Sequence, residues 1–456
     1  MSRLIACADV GSTFTKVALV DVADGSLLAT TSHPTTVDTD VLRGLDAAID
    51  GLDGVAGRGR KPDAVVVCSS AGGGLRLAVV GYEYLVTAEA GRRVGLSAGA
   101  RVVHVAAGRL DAAGLAGLRA ARPDVVLLVG GTDGGDGEVV THNASRLARV
   151  RWRVPVVLAG NADVRESATD LLRAAGVPVT PTDNVLPRIG ALRPGPARAA
   201  IRDVFLRHVI GGKGLSRGPR FASLVRGATP DIVLTAVEML AAHLGVDIAA
   251  VDVGGATTDV YSVLAPEYAT GPTEVAGTAW HGRTVEGDLG VRWGATGVVE
   301  AARAERLPDV DDLDEDAARR SAEPGWLPET DRDRSVDARL AGLAATVALR
   351  RHAHGDRAGP AAARRDLSRV RLVIGSGGVL RQLSPEDALA VLAGAVGDDA
   401  GGWARPRDPV LAVDVRYVLT PAGLLAADYP EAALALLTRH LLPDGAGHAE
   451  GDTPQR

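Results

Sequence analysis

Short apolar runs separated by glycine-containing turns open the chain and predict strands. The pattern predicts three strands joined by tight turns, at 4–9, 15–21 and 27–31. Helical spacing over 40–53 follows, and a strand over 63–69 leads into a Gly-rich loop at 70–76. A meander of this kind begins many α/β domains, so segment 1–99 is predicted to be the first part of a lobe.

The pattern of predicted elements changes over 100–185, where strands and helices alternate. Buried-type strands are predicted at 124–130, 154–159 and 177–180, with helical stretches near 111–121, 137–149 and 163–175. Such alternation favours parallel βαβ units. The segment is therefore predicted to be an inserted or appended βαβ unit, and 186–245 to hold connecting helices that end with one over 229–244.

A second lobe is predicted over 246–440. Its strands are predicted at 248–253, 258–264, 371–374 and near 411–418, with a closing helix over 429–442. Residues 308–337 are dense in Asp and Arg and are predicted to form a surface insertion. The polar residues 441–456 are predicted to be a disordered tail.

One motif occurs near the start of each predicted lobe. The segments "ADVGSTFTKVALVD" and "AVDVGGATTDVYSVL" both place an Asp at the end of an apolar run, then Val-Gly, a turn of small and hydroxyl residues and a second apolar run. The two aspartates are Asp9 and Asp252. A repeated hairpin of this kind indicates a duplicated α/β fold that grips a polyphosphate between its halves.

Composition limits the function classes without naming one. The 456 residues predict about two to three domains, and the net charge of −6 gives no support to nucleic-acid binding. No apolar window is long enough to predict a membrane span, and Asp9 and Lys16 interrupt the first apolar stretch, which argues against a signal peptide. Cys7 and Cys68 are predicted to be small core residues in a reducing cytoplasm.

The residues of the two hairpins fit the chemistry of phosphate. Glycine turns let several backbone N–H groups converge on phosphate oxygens. The predicted nucleotide-binding positions of the hairpins are Gly11, Ser12, Thr13, Lys16, Gly254, Gly255, Thr257 and Thr258. Asp9 and Asp252 suit a hydrated Mg²⁺, which takes few direct carboxylate ligands. The alternative is that each hairpin is only a tight turn with an Asp cap.

A third glycine motif follows in "VIGSGGVLRQL", where a strand meets a helix. Gly375, Gly377 and Gly378 are predicted to let a flat adenosine lie against the backbone. Many helix starts are rich in glycine, so the motif gains its weight from its position after the two hairpins.

The order of these motifs resembles the superfamily of actin, sugar kinases and the Hsp70 ATPase. The stretches "RTVEGDLGVRWGATG", "LLVGGTDGGDGEVVTHNA" and "TDNVLPRIGAL" resemble more narrowly the glutamate mutase accessory family, also called MutL and unrelated to the mismatch-repair protein of that name. The resemblance covers roughly 1–440. It implies duplicated RNase H-like lobes with an inserted α/β segment, ATP and Mg²⁺ as ligands, and a chaperone-like role toward subunits of an adenosylcobalamin-dependent mutase, either glutamate mutase or ornithine aminomutase.

Three questions stay open at the level of sequence. Glu286 or Asp288 is a candidate for ordering the attacking water, or forms only a loop hydrogen bond. Asp133 or Asp136 caps a helix or reaches a ligand at a strand end. The alternative functions are a small-molecule kinase on the same fold, with Asp252 as the base, and a filament or scaffold protein that uses nucleotide as a switch.

Overall fold

The protein is a mixed α/β molecule in a computed structural model. The model describes residues 3–11, 13–56, 61–70, 75–83, 87–88, 90–91, 94–95, 100–205, 215–217, 219–264, 281–354 and 365–442. Over these ranges the strands form three sheets of five strands each. The predicted α/β class is confirmed, and the predicted tail lies almost entirely outside the described residues.

The first sheet contains the predicted meander. It consists of β1 (Leu4–Val10), β2 (Phe14–Asp21), β3 (Ser26–Pro34), β4 (Ala64–Ser69) and β10 (Val225–Ala228). The order is β10-β4-β1-β2-β3, with β1 to β3 antiparallel and β4 and β10 parallel to β1. Helix α1 (Val41–Ala56) places Leu45 and Leu52 in the core below this sheet. We call this body lobe I.

The second sheet repeats that plan. It consists of β11 (Ile248–Val253), β12 (Thr258–Val263), β13 (His281–Glu286), β14 (Leu372–Ser376) and β15 (Val410–Val413). The order is β13-β12-β11-β14-β15, with the same antiparallel meander and the same two parallel strands. Strand order and direction therefore confirm the duplication, and we call this body lobe II.

The third sheet is parallel and matches the predicted βαβ rhythm. Its strands are β5 (Arg76–Gly81), β6 (Arg101–Ala107), β7 (Val125–Leu128), β8 (Val156–Leu158) and β9 (Val179–Pro181). Their order is β6-β5-β7-β8-β9, and α2 (Ala112–Ala120), α3 (Glu138–Arg149) and α4 (Ala162–Ala174) connect them. The prediction began this segment at residue 100 and placed strands only at β7, β8 and β9, whereas the structure adds β5 and β6, two strands that the sequence pattern did not reveal.

Helices join the two lobes through a shared core. The connecting segment contains α5 (Pro194–Val204), α6 (Arg220–Leu224) and α7 (Thr229–Leu244), and the chain closes with α13 (Leu419–Leu425) and α14 (Pro430–Leu441). One hydrophobic cluster combines Ile5 of lobe I, Leu240 of α7, Ile374 of lobe II and Leu436 of α14. Because this core includes residues from both sheets, the lobes meet at one packed base.

The segment 308–337 lies largely at the surface, as its charges predict, but some of its charged side chains are buried in lobe II. Together with α8 (Ala295–Ala304), it contributes α9 (Asp314–Ala322) and the start of α10 (Asp331–His354) to lobe II. The Arg320 side chain is 0% exposed, its Nε donates to Asp337 at 2.6 Å, and Arg292 pairs with the same carboxylate at 2.6 Å. The charges predict solvent exposure, but here Arg and Asp neutralise each other inside the fold.

The last strand is shorter than predicted. β15 ends at Val413, and the chain continues through Asp414 and Tyr417 into α13. The Asp414 carboxylate accepts hydrogen bonds from the backbone N–H groups of Val418, at 2.6 Å, and Leu419, at 3.1 Å. These bonds satisfy backbone donors at the start of α13, which ends the strand early. The remaining helices are α11 (Gly378–Gln382) and α12 (Pro385–Gly397).

Candidate active site

The turn between β1 and β2 brings Gly11 close to Phe14. The Gly11 N–H donates to the Phe14 carbonyl at 3.1 Å, and a Cβ on Gly11 would lie 2.8 Å from the same oxygen. Only glycine fits this approach without movement of the turn. Thr13 precedes Phe14 in the turn, and its carbonyl accepts from Thr35 N–H at 2.9 Å. Ser12, the remaining predicted residue of this turn, lies outside the described residues.

The turn between β11 and β12 has the same geometry. The Gly254 N–H donates to the Thr257 carbonyl at 2.8 Å, and a Cβ on Gly254 would lie 2.9 Å from that oxygen. Gly255 is less crowded, since its added Cβ would meet the Arg292 side chain at 3.6 Å. The two hairpins therefore share one turn, in which Gly11 and Gly254 occupy equivalent positions.

The hydroxyl groups of the second hairpin are engaged within the protein. Thr258 Oγ1 donates to the Leu289 carbonyl at 2.5 Å and is fully buried. Thr257 Oγ1 lies 3.4 Å from an Asp259 carboxylate oxygen. Thr258 was predicted to contact nucleotide, but its hydroxyl supports the loop after β13 instead.

The third glycine motif packs against the second hairpin. Gly377 has φ of +115°, and a Cβ there would overlap the Val253 carbonyl oxygen. Only glycine combines this φ with so close an approach. Gly375 lies inside β14, where a Cβ would face Leu380 and Leu392, so it serves packing. Gly378 begins α11, and an added Cβ there would meet open space.

The Asp9 carboxylate accepts hydrogen bonds from two separate parts of the chain. Thr229, the first residue of α7, donates through Oγ1 to Asp9 Oδ1 at 2.6 Å. Tyr417, which precedes α13 of lobe II, donates through its hydroxyl to Asp9 Oδ2 at 3.2 Å. Cys68 Sγ contacts Asp9 Oδ1 at 3.6 Å. The carboxylate is 5% exposed, so these donors orient it within a nearly dry environment.

Lys16 lies opposite Asp9 in the β1–β2 register. Its ammonium nitrogen is 3.7 Å from the centroid of the Tyr417 ring, a cation–π geometry. Burial lowers the pKa of Lys16, while the charges of Asp9 and Asp252 act in the opposite direction. The charges of Asp9 and Asp252, one from each hairpin, therefore both raise the pKa of the Lys16 ammonium.

Asp252 has a different partner across its hairpin. The β11–β12 register places it opposite Asp259, in the position that Lys16 occupies in lobe I. Burial raises the pKa of Asp252 to about 6, the nearby Asp259 and Asp9 charges add to the rise, and Lys16 opposes it. Asp259 is neutralised from the other side by Arg283, whose guanidinium lies 2.7 Å from its carboxylate.

Glu286 lies beside the second hairpin, opposite Thr258 in the β12–β13 register. Arg351 Nη1 lies 2.9 Å from Glu286 Oε2 and 2.9 Å from both carboxylate oxygens of Asp288. Burial raises the pKa of Glu286, and the hydrogen bond from Arg351 opposes that rise. The ion pair gives Glu286 a structural partner, and its water-ordering role stays a prediction.

The site suits a metal bound mainly by water and phosphate. Within the described ranges, no group of three or more His, Cys, Asp or Glu residues is arranged to hold an ion. Mg²⁺ with a nucleotide needs only one or two carboxylates, because phosphate and water supply the other oxygens. Asp9 and Asp252 meet that requirement. In the described part of the chain, no residue donates a hydrogen bond to the side-chain carboxylate of Asp252.

The glycine loop after β7 is bound internally. Asp133 Oδ1 accepts from Ala162 N–H and from Asn184 Nδ2, both at 2.9 Å. Asp136 Oδ1 accepts from Glu138 N–H at 2.7 Å. Both carboxylates therefore stabilise the loop and the adjacent helix starts, which is the structural one of the two roles that the sequence left open.

Several residues of the site carry no sequence signal. A cavity between the lobes is lined by Cys7, Asp9, Lys16, Ala18, Thr30, Arg381, Tyr417 and Thr420, among others. Arg381 lies on α11 and Thr229 begins α7, and neither stands in a glycine motif. The left-handed φ of +58° at Tyr417 is visible only in the folded chain.

Comparison with known proteins decides the family. The model of the MutL protein family matches residues 5–441. The chain belongs to the MutL protein family. Protein MutL of Clostridium tetanomorphum is 33% identical over 460 residues, covering 95% of this chain and 98% of that relative. The predicted family resemblance is confirmed.

Two solved structures of other families align with most of this chain at low similarity. A nucleotide-free acetone carboxylase aligns over 94% of this chain and 71% of its own, with 14% identity and a TM-score of 0.41. The ATP-dependent caprolactamase of Pseudomonas jessenii aligns over 95% and 70%, with 16% identity and a TM-score of 0.36. These low scores add no argument, and the strand order of the lobes carries the fold assignment. Along the described parts of the chain, no helix has both the length and the apolarity needed to cross a bilayer.

Proposed function

We propose that this chain binds and hydrolyses ATP as an accessory protein that reactivates an adenosylcobalamin-dependent mutase. Glutamate (methylaspartate) mutase and ornithine aminomutase are the candidate partners. The observation that supports nucleotide chemistry is the matching glycine turn that follows Asp9 in one lobe and Asp252 in the other, with Lys16 directly opposite Asp9. Membership of the MutL family supports the accessory role.

The chain's own residues suit phosphoryl transfer to water. Mg²⁺, bound with ATP, would neutralise charge on the phosphates. Asp9, oriented by Thr229, and Asp252 would hold its water ligands, and Lys16 would supply a positive charge to the terminal phosphates. The pKa of about 6 leaves Asp252 mostly ionised at neutral pH yet basic enough to accept a proton from water. We assign it that role.

Nucleotide binding is tested by thermal stability. Mg²⁺ and ATP together are expected to raise the melting temperature, because a ligand that binds only the folded state stabilises it by about 2.7 kcal/mol at 100 times its Kd. AMP with Mg²⁺ serves as the control, since it lacks the β- and γ-phosphates. No shift at millimolar ATP would exclude the nucleotide function.

The accessory role needs a separate experiment. The cognate mutase, inactivated by a tightly bound cobalamin analogue, is expected to regain activity with this protein and ATP but not with either alone. Failure with the cognate pair contradicts reactivation. Transfer of the γ-phosphoryl group to a small acceptor would favour the kinase alternative instead. A cytoplasmic location stays a prediction.

A further inference from the structure

Tyr417 connects lobe II to both charged residues of the first hairpin. Its hydroxyl donates to Asp9 Oδ2 at 3.2 Å, and its ring lies 3.7 Å from the Lys16 ammonium nitrogen. The Arg381 guanidinium lies 5.9 Å from the same ring. One side chain of lobe II thus contacts the carboxylate and the ammonium that lobe I contributes to the site.

The backbone at Tyr417 is held in an uncommon conformation. Its φ is +58°, in the left-handed region that residues with a Cβ seldom adopt. The Tyr417 N–H donates to the Asp414 carbonyl at 3.2 Å, and the Asp414 side chain caps the start of α13. Such strained residues concentrate at binding sites and at segments that switch between two conformations.

Tyr417 contacts the same two groups that the proposed Mg²⁺ and phosphate would use, the Asp9 carboxylate and the Lys16 ammonium. The hydroxyl occupies a lone pair of Asp9 Oδ2 that would otherwise face a metal-bound water. The ring faces the ammonium of Lys16, which would otherwise point to a phosphate oxygen. Thr229 already binds Oδ1 of Asp9, so Oδ2 is the oxygen available to an incoming ligand.

We infer that Tyr417 competes with Mg·ATP for Asp9 and Lys16, so that nucleotide must displace its side chain from both residues. This inference rests on the proposed nucleotide function. It assigns Tyr417 a regulatory role rather than a catalytic one.

The substitution Tyr417→Phe tests the hydroxyl alone. It keeps the ring under Lys16 and removes only the hydrogen bond to Asp9. If the site is closed by that bond, Mg·ATP should associate about threefold to tenfold faster and bind correspondingly tighter, with an unchanged dissociation rate. Stopped-flow kinetics with a non-hydrolysable ATP analogue and Mg²⁺ measure both rates on the full chain.

Tyr429→Phe is the matched control. Tyr429 is also a partly buried tyrosine whose ring faces an arginine, Arg3, at 5.8 Å, but it belongs to the start of α14. It should leave both rates unchanged. An unchanged or slower association rate in Tyr417→Phe, while the wild-type protein binds nucleotide, would overturn the inference alone. A wild-type protein that does not bind Mg·ATP would overturn the proposed function, and this inference with it.

Discussion

The two hairpins have the same turn, but the residue that faces the aspartate is positively charged in lobe I and acidic in lobe II. In lobe I, Asp9 faces Lys16; in lobe II, Asp252 faces Asp259. Gly11 and Gly254 make the same backbone bond in the two turns. The duplicated fold thus supplies one geometry twice, and a single position in the second strand of each hairpin decides its electrostatics.

The difference indicates a division of labour. The lobe I hairpin offers a carboxylate and a cation, and Thr229 and Tyr417 bind the carboxylate. The lobe II hairpin offers a carboxylate whose pKa is raised to about 6. We therefore expect lobe I to position metal and phosphate, and Asp252 of lobe II to handle a proton.

The largest expected effect concerns the charged groups beside the two aspartates. Arg283→Leu leaves Asp259, whose side chain is only 14% exposed, without its partner and should lower the free energy of unfolding by about 3 kcal/mol. Lys16→Leu removes a partly buried ammonium whose pKa burial already lowers, and should change stability by less than about 1 kcal/mol. Urea unfolding of both variants checks this. Equal losses would show that the two charges are equally structural.

Hydrolysis should depend on both aspartates. Asp9→Asn and Asp252→Asn are each expected to lower kcat for ATP about 100-fold, which corresponds to about 2.7 kcal/mol of transition-state stabilisation. Asp9→Asn should also weaken Mg·ATP binding more than Asp252→Asn does, if lobe I positions the metal. Circular dichroism serves as the folding control. Wild-type turnover in both variants would contradict the metal and base assignments.

The stability of the protein should depend on pH through Asp252. The folded pKa of Asp252 is about 6, above its ordinary value, because the folded protein holds the protonated carboxyl more favourably than the ionised one. This favourable contribution to stability is fully present below pH 4, and it is lost as the pH rises to 6 and the carboxyl ionises. Asp252→Asn should therefore be more stable than wild type above pH 6, with the gap closing toward pH 4. Asp9→Asn should be less stable than wild type, because Thr229 and Tyr417 both donate to the lost carboxylate. Unfolding curves from pH 4 to 8 measure both, and a gap for Asp252→Asn that stays constant with pH would contradict the pKa shift.

The smallest effect concerns the turn itself. Gly254→Ala must move the Thr257 carbonyl and should cost about 1 kcal/mol, as Gly11→Ala should at Phe14. Gly255→Ala meets only Arg292 at ordinary contact distance and should stay within about 0.5 kcal/mol of wild type. Thermal melts of the three variants compare them. Clearly unequal losses in Gly11→Ala and Gly254→Ala would show that the two turns are not equivalent.

Local patterns predicted much of the fold. The strands β1, β2, β11 and β12 end within one or two residues of the predicted bounds, and so does α7, because alternation, turn glycines and helix ends are local signals. β10 was missed, since its four residues form a strand only by pairing with β4, which lies far away in sequence. The surface prediction for 308–337 holds for most of its residues, but the burial of Arg320 against Asp337 depends on tertiary packing that local charge does not show.

Local patterns were enough to identify the pair of hairpins, the duplicated lobes and the candidates Asp9, Lys16 and Asp252, because turns and strand pairs between neighbours follow from local chemistry. The hydrogen bonds of Thr229 and Tyr417 to Asp9, and the pairing of Arg283 with Asp259, arise instead from the packed fold. The bond from Tyr417 to Asp9 spans 408 positions. No local pattern can encode such a contact, because it exists only once both lobes have folded and packed against α7 and α13.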